Sequence, residues 1–221
     1  MKKLTILVLI FISSYIFATA QYPDLLIYKG KKYKLHTNPL EKYFKEYPKQ
    51  RPKDGLKTTA SYRGYIAEFE INNKNLELRD LKIETSFQKW KSIKKEFLIN
   101  YKKTKKLNKK KSSNNKELKL DWFSGILIIP YGKRLNYVHM GYASTYENYI
   151  LLEIQKGKLT KQKDLKVKEY ELFKKVQFSK FKKTEEYKKV FSRISKKGKK
   201  QKLIDNFLKI RILKYTNKFL D

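Results

Sequence analysis

Residues 120–154 constrain the fold of this chain more than any other stretch, because they carry 2 basic and 3 acidic groups in a protein otherwise crowded with lysine. Residues 21–80 hold 13 basic and 8 acidic groups, 81–119 hold 14 and 3, and 155–221 hold 23 and 7. Charge is costly to bury. The neutral, apolar and aromatic block therefore reads as the core, with the lysines spread over peripheral elements. Inside it, Gly125–Pro130 is an uninterrupted apolar run, the pattern of a strand covered on both faces. Leu135–Met140 alternates as a second strand, with a turn at Gly132 between them. Asn148–Gln155 leads through Lys156-Gly157 into a hairpin partner beginning at Lys158.

The segments before the block read as hairpins. Leu25–Tyr28 and Lys32–Leu35 flank Gly30, and Leu40–Tyr47 is a short amphipathic piece among Pro39, Pro48 and Pro52. Tyr65, Ala67, Phe69 and Ile71 alternate with Ile66, Glu68 and Glu70, which is the period of a half-buried strand, and Asn72-Asn73 tolerates the positive φ of a tight turn. On the return, Leu76 and Leu78 fall on one face but Leu81 and Ile83 on the other. A bulge near Asp80 is therefore expected. Ser86–Tyr101 has the helical spacing of Phe87, Trp90, Ile93, Phe97, Leu98 and Tyr101.

Residues 102–119, with nine lysines and a Ser-Ser-Asn-Asn tract, cannot bury enough to pack and read as a solvated loop, a surface insertion rather than a polyanion-binding arm. The C-terminal third is helical. Tyr170, Phe173, Val176 and Phe181 mark one helix, and Thr184 caps a second carrying Tyr187, Val190, Phe191 and Ile194. Gly198 precedes a last helix with Leu203, Ile204, Phe207, Leu208, Ile212 and Tyr215. Strands followed by helices make an α+β order: a mainly antiparallel sheet of six to eight strands, one helix inserted after the second hairpin, and a helical C-terminal region. The expected organisation is a leader over 1–20, a sheet domain over 21–160 interrupted by the lysine loop, and a basic helical region over 161–221 packed on the same domain.

The leader reads as an export signal. Lys2 and Lys3 precede the 14-residue apolar run Leu4–Phe17, and Ala18-Thr19-Ala20 offers a small-x-small cleavage site before Gln21. The run is shorter than the roughly 20 residues a membrane-spanning helix needs, and Ser13 and Ser14 interrupt it. Cleavage would leave 52 basic against 21 acidic groups, no transmembrane segment, and a periplasmic or secreted address in a bacterium. The chain has no cysteine, so a disulfide framework, a thiolate metal site and a lipidated N-terminus are all excluded.

A field of this sign attracts polyanions, with an affinity that falls with salt. Only six of the 54 basic residues are arginine, the side chain whose planar fork suits phosphate, so specific nucleic-acid recognition is not expected and the lysine excess reads as largely compositional. An anionic envelope component or polysaccharide remains the expected partner if one exists.

Chemistry-bearing residues concentrate between Asp121 and Tyr149. Asp121, His139 and Glu147 are the catalytic candidates if turns bring them to one rim, since a carboxylate can orient a histidine for acid/base work. Arg63, Trp122 and Tyr142 are the binding candidates, Arg63 pairing with Glu68 or Glu70 or else gripping an anion. No nucleophile elbow, phosphate loop or dinucleotide fingerprint accompanies them. His36 and His139 are the only histidines, so no zinc pattern exists and no cofactor is expected. The balance favours a binding or structural role over catalysis. Two alternatives are kept: binding of an envelope polyanion or glycan through a basic surface and tyrosine-rich rim, and hydrolysis outside the cytoplasm.

The segments Tyr-Arg-Gly-Tyr-Ile-Ala-Glu-Phe-Glu-Ile (62–71), Leu-Glu-Leu-Arg-Asp-Leu (76–81), Asp-Trp-Phe-Ser-Gly (121–125) and Tyr-Val-His-Met-Gly-Tyr (137–142) resemble an uncharacterised family of bacterial proteins over about 60–155. The resemblance implies that 62–84 and 121–154 belong to one domain with the lysine loop as an interruption. It brings no activity and no site residues.

Overall fold

Positive-φ residues mark the hairpin turns of the chain. The computed structural model describes residues 21–86, 88–104, 118–139, 141–195, 198 and 200–220. The expected leader lies outside them, as does all of the expected lysine loop but its ends. Strands β1 (Asp24–Tyr28) and β2 (Lys31–Leu35) form the first hairpin, turning through Lys29 and Gly30 at φ 50° and 73°. A short helix α1 (Leu40–Glu46) follows, then a single 3₁₀ turn at Pro48–Gln50. Strands β3 (Ile66–Asn72) and β4 (Asn75–Ser86) make the second hairpin. Its central residues are Asn73 and Lys74, both at positive φ, one position later than the Asn pair suggests. The bulge falls where the leucine pattern switches face: Glu68 opposes Asp80 and Phe69 opposes Leu78, leaving Arg79 as the extra residue.

Three further expectations are corrected. The segment after β4 is not helical from Ser86; it turns through Gln88 into strand β5 (Lys89–Ser92), and helix α2 is confined to Lys94–Thr104. Trp90 and Ile93 have helical spacing with Phe97, but pairing with β4 captures the first of them. After the two-residue strand β6 (Leu118–Lys119), the apolar run and the alternating run merge into one strand, β7 (Gly125–Asn136). Gly132, at φ 78°, makes a bulge in β7 instead of a turn, because the pairing jumps from Tyr131–Asn148 to Arg134–Tyr146. Strand β9 crosses the expected boundary at 160. β8 (Thr145–Gln155) and β9 (Lys158–Lys166) form the Lys156-Gly157 hairpin, and the helices begin only at Val167. They are α3 (Val167–Phe181), α4 (Glu185–Ser195), α5 (Gln201–Ile210) and α6 (Ile212–Tyr215).

The nine strands form one sheet in the order β2-β1-β3-β4-β9-β8-β7, with β5 and β6 attached to β4. All pairs are antiparallel except β1 with β3. The sheet coils until its two outermost strands touch without closing a ladder. His36 N–H donates to the Ile128 carbonyl at 2.8 Å, and the Thr37 hydroxyl receives the Ile128 N–H at 3.0 Å.

β7 has the double burial that its composition suggests. Leu127 and Ile129 face the concave core of Leu26, Phe44, Phe69, Leu78 and Phe123, whereas Ile126 and Ile128 face Tyr149, Leu151, Tyr170, Leu208 and Ile212 in a second core under the helices. Full burial of such a side chain contributes about 2 kcal/mol, so this one strand anchors both layers.

The C-terminal tail is pinned by buried polar groups. The Gln177 amide donates to Thr216 Oγ1 at 3.0 Å and to the Lys218 carbonyl at 2.7 Å, and it accepts from Leu220 N–H at 2.9 Å. Glu153 Oε2 accepts from Phe219 N–H. Gln177→Ala leaves these backbone groups without their partner, and the expected cost is about 2 kcal/mol. A urea titration showing a lower midpoint at unchanged m-value checks it.

Candidate functional site

A cavity of about 340 Å³ lies where the β7–β8 connection, the end of β2 and the helical layer meet. It falls in the size range of small-ligand sites. Its walls are aromatic. His36 and Tyr142 stack with ring centroids 4.7 Å apart and planes 9° from parallel, and Tyr149 and Tyr170 stack at 4.0 Å and 14°. Tyr170 is 8% exposed, and burial pushes its hydroxyl well above the ordinary tyrosine value. That hydroxyl has no hydrogen-bond partner among the described residues, which leaves it available to a ligand.

The cavity is electrically biased. Three cations line it, Lys174, Arg211 and Lys214, against the single carboxylate of Glu171. Lys174 is committed: its Nζ pairs with Glu171 Oε1 at 2.7 Å and lies over the Tyr170 ring. Arg211 joins α5 to α6 and Lys214 lies within α6, and among the described residues neither meets a carboxylate. Burial, with Arg211 alongside, lowers the Lys214 pKa. His36 is held down at about 4 by burial and by the charges of Lys34 and Lys214. The uncompensated positive field thus reaches the imidazole itself.

A buried polar network fixes one wall. Asp24 is wholly buried and accepts from Arg63 at 2.7 Å, Ala67 N–H at 2.9 Å and Asn38 Nδ2 at 3.0 Å. Asn38 Nδ2 also donates to the Tyr142 hydroxyl at 3.1 Å, so the ion pair holds the ring that stacks on His36. Arg63 also donates to the Tyr22 carbonyl, and its guanidinium lies over the Tyr65 ring. The Tyr65 hydroxyl continues the chain to Glu41, which Arg51 grips at 2.7 Å. The loops carrying Arg63 are locked by Gly55, where a Cβ would lie 2.0 Å from the Gly64 carbonyl oxygen.

The sequence candidates separate accordingly. Arg63 and Tyr142 meet in this network, although Arg63 does not pair with Glu68 or Glu70; those bind Lys32 and Arg79 instead. Trp122 packs against the concave core beside Tyr43 and Phe123, away from the cavity. Asp121 lies beside the β8–β9 turn at Gly157, whereas His139 is in the β7–β8 connection, where it meets the Tyr137 hydroxyl at 3.1 Å. The length of β7 puts them roughly 30 Å apart. Glu147 caps the Gly132 bulge by accepting from Lys133 N–H at 2.7 Å. None of the three catalytic candidates lines the cavity, and only His139 and Glu147 share an end of the β7–β8 pair. Sequence reasoning missed Asp24, His36, Lys174, Arg211 and Lys214 as site residues, and read Tyr170 only as a helix-core position.

No protein-family model, curated protein or solved structure matches the chain. Among the described residues, no group of three or more His, Asp or Glu gathers to hold a metal ion, and no helix is long and apolar enough to cross a membrane.

Proposed function

We propose that this is an exported binding protein that takes an anionic envelope ligand, an acidic saccharide being the class that fits best, into the cavity between the β7–β8 connection and the helical layer. The observation that carries this reading is the pairing of two carboxylate-free cations, Arg211 and Lys214, with the aromatic walls of Tyr142, Tyr149 and Tyr170. The cations supply charge-assisted hydrogen bonds to a carboxylate or phosphate, and the partly exposed Tyr142 ring, stacked on His36, supplies apolar surface for the C–H face of a sugar. The Tyr170 hydroxyl, which has no hydrogen-bond partner among the described residues, adds a donor. The binding reading also suits a chain in which the length of β7 separates Asp121 from His139 and Glu147.

Calorimetric titration with trigalacturonate tests the reading. Binding is expected to survive 0.3 M salt, and Lys214→Gln is expected to weaken it at least ten-fold, since a hydrogen bond to a charged group contributes about 1.5–3 kcal/mol. Lys188→Gln, which alters an exposed cation on α4 paired with Glu185, should leave it unchanged. Equal losses in the two variants, or binding abolished by salt alone, would show a diffuse charge effect instead of a site.

A further inference from the structure

Helix α5 is apolar on two sides, and only one of them is used by the fold. Ile204 and Leu208 are buried in the second core. Leu203, Phe207 and Ile210, at i, i+4 and i+7, form a separate stripe that is 61%, 37% and 68% exposed. Exposed Lys202 and Lys209 flank one side of the stripe and Arg211 the other, with Arg211 over the Phe207 ring at 4.4 Å. The only acid on the helix does not offset them, because Asp205 is bound internally by Lys182 at 2.9 Å and by the Tyr187 hydroxyl at 2.7 Å.

We infer that α5 docks the protein flat on an anionic phospholipid surface, with Leu203, Phe207 and Ile210 in the acyl boundary and the flanking cations at the headgroups. An interfacial helix needs an apolar face, a cationic border and few acids, and α5 has all three in 10 residues about 15 Å long. Charge chooses the partner. The segment 155–221, with 23 basic and 7 acidic groups, is complementary to an anionic bilayer and repels a second copy of itself. A nucleic-acid backbone would satisfy the lysines but offer little to the leucine and isoleucine. Ile210 belongs both to the stripe and to the cavity lining, so docking would set the cavity mouth at headgroup height. This inference stands on the stripe and does not require the cavity ligand.

Partitioning of the protein onto vesicles of phosphatidylglycerol and phosphatidylcholine, compared with phosphatidylcholine alone, tests it. At 0.15 M salt the protein is expected to bind the anionic vesicles, and Leu203→Gln/Phe207→Gln/Ile210→Gln to reduce partitioning at least ten-fold with its urea midpoint preserved. Lys202→Gln and Lys209→Gln should each reduce it about five-fold. The indole emission of a Phe207→Trp variant should be quenched by brominated acyl chains, an insertion readout that a fault in folding would not mimic. Partitioning of the triple variant at the wild-type level, or emission of the Phe207→Trp variant indifferent to brominated chains, would overturn the inference, as would an emission change in that variant driven by protein concentration without lipid. Trigalacturonate titration of Leu203→Gln/Phe207→Gln, which leaves the cavity lining intact, separates the two readings: vesicle partitioning should fall while trigalacturonate binding is unchanged.

Discussion

Asp24→Ala is expected to destabilise the protein by about 3–5 kcal/mol, the cost of leaving a buried arginine without its counter-charge. Arg63 is 9% exposed; burial pulls its pKa down and the Asp24 carboxylate beside it raises it, so the guanidinium stays charged and needs its partner. The substitution also removes the acceptor of Ala67 N–H and of Asn38 Nδ2. For a chain of this length the loss corresponds to a melting midpoint lower by about 10 °C. A double-mutant cycle checks that the pair is the cause. Asp24→Ala/Arg63→Ala should be less destabilised than the sum of the single variants by more than about 1 kcal/mol, because the double variant buries no unpaired charge. Additive losses would show that packing, and not pairing, sets the cost. Because Asn38 joins Asp24 to Tyr142, the Asp24 variant should also weaken trigalacturonate binding.

Acidification from pH 6.5 to pH 4 is expected to remove about 3 kcal/mol of stability through His36 alone, since a tenfold difference in proton affinity between folded and unfolded chains is worth about 1.4 kcal/mol. The folded pKa is held at about 4, below the ordinary histidine value of 6.5, by burial and then by Lys34 and Lys214. The unfolded chain therefore binds the proton first, so this contribution is complete above pH 6.5 and is lost as pH falls through the folded value. Urea midpoints measured across this window for the wild type and for His36→Asn give the difference directly; the variant should have the shallower slope. An anion bound beside Lys214 would ease protonation of His36. Trigalacturonate should consequently bind more tightly as pH falls through this range, until the sugar acid itself titrates.

Local chemistry explains which parts of the fold were legible in the sequence. Gly125–Pro130 has no polar face, so double burial was the only arrangement open to it, and Ile126 and Ile128 do oppose Leu127 and Ile129 across the strand. The Arg79 bulge was legible because the strand period is two and Leu78 and Leu81 break it. β5 was not, since Trp90 and Ile93 fit a helical spacing that only the partner strand β4 overrules. The candidate site was legible only at Tyr142 and Arg63. Asp24 looks like an ordinary residue before a strand, and its partners Asn38, Arg63 and Ala67 stand 14, 39 and 43 positions away. Arg211 and Lys214 are two of 54 basic residues until α6 and the residue before it bring them to the cavity that His36 also lines.

The meeting of β2 and β7 has a consequence for behaviour in a crowded compartment. A terminal strand normally displays a row of free amides and carbonyls to which another molecule can add a strand. Here the two terminal strands shield each other near His36 and Ile128, and β7 beyond that point carries Lys133 and Arg134. Strand addition at these edges would first have to part them. A nine-stranded sheet can in this way be concentrated without templating its own fibres from its two ends.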